Sequence, residues 1–220
     1  MIVGVSPLMI LVFVMYLFII GLSLSVNRIV NLWVVIEVGI FLFVSLSFLT
    51  IMKERLFTQG VLIYYLTQSG LSITILALLL VDINNLNLLI GIVLMVKLGV
   101  FPTNFWFYSV IIKRNLPVLF LIITFQKIPI LIFLNFVNLN NLSIIVLLLL
   151  NLFVCGSVAL LTSDLKSLLI ASSLSNNSWL IISIMSSIEV FIVFFILYVI
   201  TLYLVCFILF FLLKRDKWLH

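Results

Sequence analysis

The chain has 220 residues, 66% of them hydrophobic and only 8% charged, and its mean hydropathy is +1.54. A soluble domain carries roughly a quarter charged residues, so this composition excludes a water-covered globule and makes lipid the solvent of an all-α integral membrane protein with no soluble domain. The net charge of +5 comes without a basic stripe or recognition module, which argues against nucleic acid as a partner.

A span needs about 20 apolar residues. Reading between polar breaks predicts about eight transmembrane helices, near 7–26, 30–51, 59–81, 86–108, 116–137, 143–162, 167–187 and 190–213. The connections are short, which leaves a single transmembrane domain over residues 1–220. No basic n-region or Arg/Ser-rich transit segment precedes the first span, as expected of a protein translated where it is used. The side that holds the N-terminus receives Lys53, Arg55, Lys113, Arg114, Lys166, Lys214, Arg215 and Lys217. The opposite side receives Arg28 with the acids Asp82 and Glu189. The positive-inside rule then places the first side in the matrix or cytoplasm, with both termini there.

Cys155 and Cys206 lie far apart in apolar runs, without metal or redox spacing, and read as packing residues. The only histidine is the last residue, His220. A haem needs axial ligands within the bundle, so a cytochrome-like carrier is excluded. No glycine-rich dinucleotide fingerprint occurs either, and the chain is expected to hold no cofactor of its own.

Three charges, Glu37, Lys97 and Lys127, fall inside the predicted spans. At about 1.5 Å per residue, Glu37 sits roughly 10 Å deep and each lysine about 16 Å deep. A charge there costs roughly 2.5–3.5 kcal/mol on insertion scales, and it persists only when paired, hydrated or neutralised. A Glu–Lys pair that fixes packing is one reading; a proton relay is the other, favoured by three titratable groups on three helices. Pro102 and Pro129 follow the lysines and lack the N–H that would bond the carbonyls of Leu98 and Phe125. Gly99 eases the first break. Freed carbonyls at membrane depth are tolerated where they line a polar cavity. Two polar stripes complete the pattern: Tyr64, Gln68 and Ser72 on the third span, and Ser172, Ser175, Asn176, Trp179 and Ser183 on the seventh. Such stripes face neighbouring helices or hold water.

Several stretches occur together: Trp33-Val-Val-Ile-Glu37, Tyr65-Leu-Thr-Gln-Ser69, Lys97-Leu-Gly-Val-Phe-Pro102 continuing to Asn104-Phe-Trp106, Phe125-Gln-Lys127-Ile-Pro129, and Asp164-Leu-Lys166 with Ser172-Ser173 and Trp179. In them the chain resembles the subunit 2 family of NADH:ubiquinone oxidoreductase, respiratory complex I, in its animal mitochondrial form. The resemblance implies an antiporter-like fold with one complete five-helix repeat and a partial second. It implies an inner mitochondrial membrane subunit of a proton-pumping enzyme, with Glu37, Lys97 and Lys127 as proton carriers. Pro102, Asn104, Gln68, Lys166 and Asn176 would be its helix-break and polar support. FMN, iron–sulfur clusters and ubiquinone are expected in other subunits, and the partners are those membrane-arm subunits and lipids such as cardiolipin. Relatives commonly show histidine where this chain has Asn104 and Asn176, and an asparagine side chain carries no proton. The resemblance also implies that three C-terminal helices of the family are missing. A pump with part of its route lost, an exit supplied by neighbours, and a fragment of a longer chain are equally open at this point. A structural subunit and a stand-alone transporter are the competing functional readings.

Overall fold

The computed structural model describes residues 7–51, 55–81, 86–111, 116–137 and 142–216. The expectations attached to Lys53, Asp82, Lys113, Arg114, Lys217 and His220 lie outside the described residues. Within them the chain is helical, with α1 Pro7–Ser25, α2 Ile29–Ile51, α3 Arg55–Leu80, α4 Leu86–Lys97, α5 Asn104–Ile111, α6 Leu116–Ile123, α7 Lys127–Val137, α8 Leu142–Leu161, α9 Leu165–Ser186 and α10 Ile188–Asp216. Among the described residues seven segments are long and apolar enough to cross a membrane, one of them running from Val118 to Val137 through α6 and α7; Asn87–Lys97 is a shorter apolar helix. The protein is an all-α integral membrane bundle.

The expected span over 86–108 is divided into α4 and α5, and the one over 116–137 into α6 and α7. The physical reason is local in both cases. After Lys97 the chain turns at Gly99, whose φ of +75° is a left-handed conformation costly to any residue with a Cβ. Pro102 then denies the helix a donor. In the second case Pro129 occupies the first turn of α7, where a missing N–H costs little, and residues 124–126 bridge the two helices. At the other end of the chain α9 and α10 meet at Ser187. Its extended backbone (φ −166°, ψ 153°) ends α9 with a bond from its N–H to the Ser183 carbonyl. Its carbonyl and hydroxyl then accept from the N–H groups of Phe191 (3.1 Å) and Val190 (3.3 Å), which starts α10.

The interior forms around α7, which packs on α1, α2, α4 and α9. Ile130, Leu131, Phe133, Leu134 and Val137 are buried there against Ile36, Ile40, Leu94 and Leu174. By contrast α1, α8 and α10 turn most of their apolar side chains outward, as at Phe18, Leu24, Phe153, Leu160, Val193 and Leu197. An apolar surface of this kind is solvated by hydrocarbon, so the burial pattern repeats what composition dictates.

A Cβ added at Gly99 would lie 3.1 Å from Phe107 Cδ2 and 3.2 Å from Leu174 Cδ2, on top of its left-handed φ. Gly99→Ala is therefore expected to destabilise the bundle by at least ~1–2 kcal/mol, seen as a lower thermal midpoint of the detergent-solubilised protein by circular dichroism. Gly156→Ala, where an added Cβ meets nothing within 4 Å, leaves the midpoint at or above its starting value.

Candidate functional site

The break after α4 exposes backbone groups that an unbroken helix would pair internally, and each finds a partner from another element. The Val96 carbonyl accepts from the Gly99 N–H (3.0 Å) and from Trp106 Nε1 (3.3 Å). The Lys97 carbonyl accepts from Gln68 Nε2 of α3 at 3.2 Å. The Leu98 carbonyl, the one that Pro102 leaves without a donor, accepts from Asn177 Nδ2 of α9 at 2.8 Å. The Phe101 N–H donates to Asn151 Oδ1 of α8 at 2.9 Å. Four elements thus send side chains into one turn of chain.

Lys97 itself is buried. Its Nζ bonds the Ser72 hydroxyl and lies 3.8 Å from Glu37 Oε1, whose side chain is 29% exposed. Ser72 in turn donates to the Gln68 carbonyl at 2.9 Å, and its own carbonyl accepts from Trp33 Nε1 at 3.0 Å. The third-span stripe of Tyr64, Gln68 and Ser72 is buried throughout, so α3 presents it to the lysine rather than to lipid.

Lys127 is also buried but is held differently. Its Nζ donates to Asn177 Oδ1 (2.5 Å), the Tyr198 hydroxyl (3.0 Å) and the Ser173 carbonyl (3.2 Å), and sits 5.2 Å from the centre of the Tyr198 ring. Among the described residues no carboxylate pairs with it. Its cation is stabilised by dipoles and a ring face alone. The α6–α7 break explains how Tyr198 is seated. The Lys127 N–H turns to the Thr124 carbonyl (3.2 Å), so the Ile123 carbonyl is free to accept from the Tyr198 hydroxyl at 3.3 Å. The carbonyl expected to be freed here was that of Phe125, but the Ile128 N–H takes it at 3.3 Å.

Between the two lysines lies a small cavity lined by Tyr64, Gln68, Lys97, Gln126 and Lys127 with apolar side chains, of volume about 10 Å³. That is about the least space that admits a single water. Gln68 Oε1 has no hydrogen-bond partner in the protein, while Gln126 Oε1 accepts from the Tyr16 hydroxyl at 2.7 Å. Glu37 on α2 thus faces Lys97 of α4, and Lys97 shares the cavity with Lys127 of α7 and the polar side chains of Tyr64, Gln68 and Gln126.

The supporting residues divide. Gln68 and Asn104 are buried polar groups. Asn104 belongs to a neighbouring cluster, where its Nδ2 donates to Asn151 Oδ1 (3.1 Å) and Cys155 Sγ (3.2 Å), and the Asn151 amide donates to Ser178 Oγ (2.8 Å) and the Leu174 carbonyl (3.0 Å). Lys166 stands in the first turn of α9 and does not line the cavity. Asn176 is half-buried, and its neighbour Asn177 is the one that meets Lys127. The expected α9 stripe is rotated accordingly: Trp179 is exposed, while Ser173, Asn177 and Ser178 are buried. Ser172 and Ser175 satisfy their hydroxyls on carbonyls three residues back, at 2.9 and 2.8 Å, so neither needs a partner helix. Residues missed in the sequence are Asn151, Asn177 and Tyr198. A single asparagine in the apolar run of α8 was a usable signal, because an amide at that depth must find protein partners.

The chain is 32% identical over 174 residues to NADH-ubiquinone oxidoreductase chain 2 of Artemia franciscana, which aligns 79% of this chain with 55% of that one. It is 27% identical over 176 residues to the same chain of Albinaria caerulea (75% and 56%) and 27% over 171 residues to that of Caenorhabditis elegans (78% and 56%). The chain is thus similar in sequence to NADH-ubiquinone oxidoreductase chain 2 over about three quarters of its own length. It spans about half the length of these curated relatives, and no family model matches it.

Asn151 satisfies one N–H, two side chains and a carbonyl at once. Asn151→Leu strands the Phe101 N–H in a dry interior, at about 1–3 kcal/mol for each group left unpaired. The expected outcome is a lower thermal midpoint and faster amide exchange at Phe101 by mass spectrometry, and unchanged exchange there would refute this account of the break.

Proposed function

We propose that the chain acts as a membrane-arm subunit of proton-translocating NADH:ubiquinone oxidoreductase in the mitochondrial inner membrane, with both termini on the matrix side. Its partners are the other membrane-arm subunits and lipids such as cardiolipin. Electron transfer, with FMN, iron–sulfur clusters and ubiquinone, belongs to other subunits. The single observation that carries the reading is that two buried lysines from different helices line one cavity, and one of them is within 3.8 Å of a carboxylate.

The chemistry follows from how differently the lysines are held. Glu37 stabilises the ammonium of Lys97 by charge, whereas Lys127 has only neutral acceptors. A proton is therefore favoured on Lys97 while Glu37 faces it. When the carboxylate is neutralised or drawn away, Lys97 loses that preference and releases its proton into the cavity toward Lys127. Gln68, Gln126 and Tyr64 keep that passage polar. Lys97 then reloads from the matrix side. Asn104 and Asn176 orient water without carrying the proton themselves, and Lys166 gives α9 a positive end facing the matrix.

Lys97→Met keeps most of the side chain's length and removes the titratable amine. In the assembled complex reconstituted into liposomes, it is expected to lower protons translocated per NADH oxidised and to slow coupled oxidation at least several-fold. Native-gel levels of the complex should stay close to parental. Parental pumping by a fully assembled variant would leave the chain a structural subunit whose charges only fix packing.

A further inference from the structure

Among the described residues, Asn177 hydrogen-bonds both halves of the site through its one side chain. Its Oδ1 accepts from Lys127 Nζ at 2.5 Å, and its Nδ2 donates to the Leu98 carbonyl at 2.8 Å. Leu98 is the residue after Lys97, and its carbonyl is the one released by Pro102. Asn177 is buried on a stretch of α9 between Ser173 and Ser178, both of which are buried too. The amide therefore has no solvent to exchange with and little freedom to turn.

We propose that Asn177 is a positioning residue that makes the charge on Lys127 and the shape of the α4 break depend on one another. The proposal rests on the proton-relay reading and deepens it. An amide is a single conjugated dipole. A cation at Oδ1 draws electron density from the nitrogen, which makes Nδ2–H a better donor to the Leu98 carbonyl. A charged Lys127 thus tightens the break in the geometry that holds Lys97 beside Ser72 and the cavity. A neutral Lys127 donates more weakly, the amide is less polarised, and the Leu98 carbonyl is held less firmly. Because the backbone at Leu98 carries Lys97 directly before it, this bond transmits the state of one lysine to the position of the other. Gln68 cannot play this part, since it bonds the Lys97 carbonyl but no charged atom of Lys127.

The geometry prescribes the substitutions. Asn177→Asp is almost isosteric and keeps an acceptor toward Lys127, but it sets an oxygen against the Leu98 carbonyl and pins the ammonium with a full charge. Asn177→Gln keeps donor and acceptor on an arm one methylene longer. Each is compared with Lys127→Met in the assembled complex in liposomes, with pumping normalised to the complex on native gels. With Asn177→Asp, pumping is expected to fall about tenfold, the size of a lost hydrogen bond coupled to a charged group, with ubiquinone KM unchanged and only kcat affected. Asn177→Gln retains more than half. Parental pumping by Asn177→Asp overturns the proposal, as does equal loss in the Asp and Gln variants, or disappearance of the complex in both, which marks a packing role. Lys127→Met at parental pumping refutes the relay itself. Lys127→Met inactive beside a fully active Asn177→Asp refutes only the bridge.

Discussion

A polypeptide in hydrocarbon must satisfy every backbone polar group from within the protein, and the break after Lys97 is where this chain meets that constraint. An uninterrupted helix would have needed nothing from its neighbours. Gly99 and Pro102 instead release three carbonyls and an N–H at membrane depth. Trp106, Gln68, Asn177 and Asn151 reach them from α5, α3, α9 and α8. The mutual packing of those helices is fixed as much by these bonds as by leucine and isoleucine, because lipid offers apolar side chains nearly the same environment as a neighbouring helix.

The same bonds decide where charge can sit. Side chains that satisfy a broken backbone are polar, and polar side chains drawn to one place create an environment fit for an ammonium. Lys97 is the last residue of α4, at the end of the helix where the dipole favours a cation. Lys127 is the first residue of α7, where the dipole opposes one, and it carries three acceptors and a ring face in compensation. The two cations thus stand at helix ends of opposite polarity, which gives the pair an asymmetry that does not depend on Glu37 alone.

Much of this was legible in the residues, for a definite reason. Glu37, Lys97 and Lys127 stand out because charge is rare in such a chain, and Pro102 marks the Leu98 carbonyl because proline geometry is invariant. What periodicity could not supply was rotation. Helix α9 carries small polar residues on more than one face and most of its serines bond carbonyls three residues back, so nothing in Ser172 to Ser183 tells Asn176 from Asn177. The structure chooses Asn177. Nor does a phenol in an apolar helix announce a partner seventy-odd residues away, and Tyr198 finds Lys127 only because the α6–α7 break frees the Ile123 carbonyl to hold its hydroxyl.

The two breaks are then one device rather than two irregularities. Each consists of a lysine at a helix end, a proline within five residues, and a released carbonyl held by a side chain of a later helix: Leu98 by Asn177, Ile123 by Tyr198. Both of those side chains also bind Lys127. A change at that amine is consequently felt at the backbone of both breaks, while a change at Lys97 reaches the second break only across the cavity. Coupling of this form needs no long lever. It requires only that dry carbonyls have one donor each, so that a donor strengthened or weakened by the neighbouring charge has nowhere else to go.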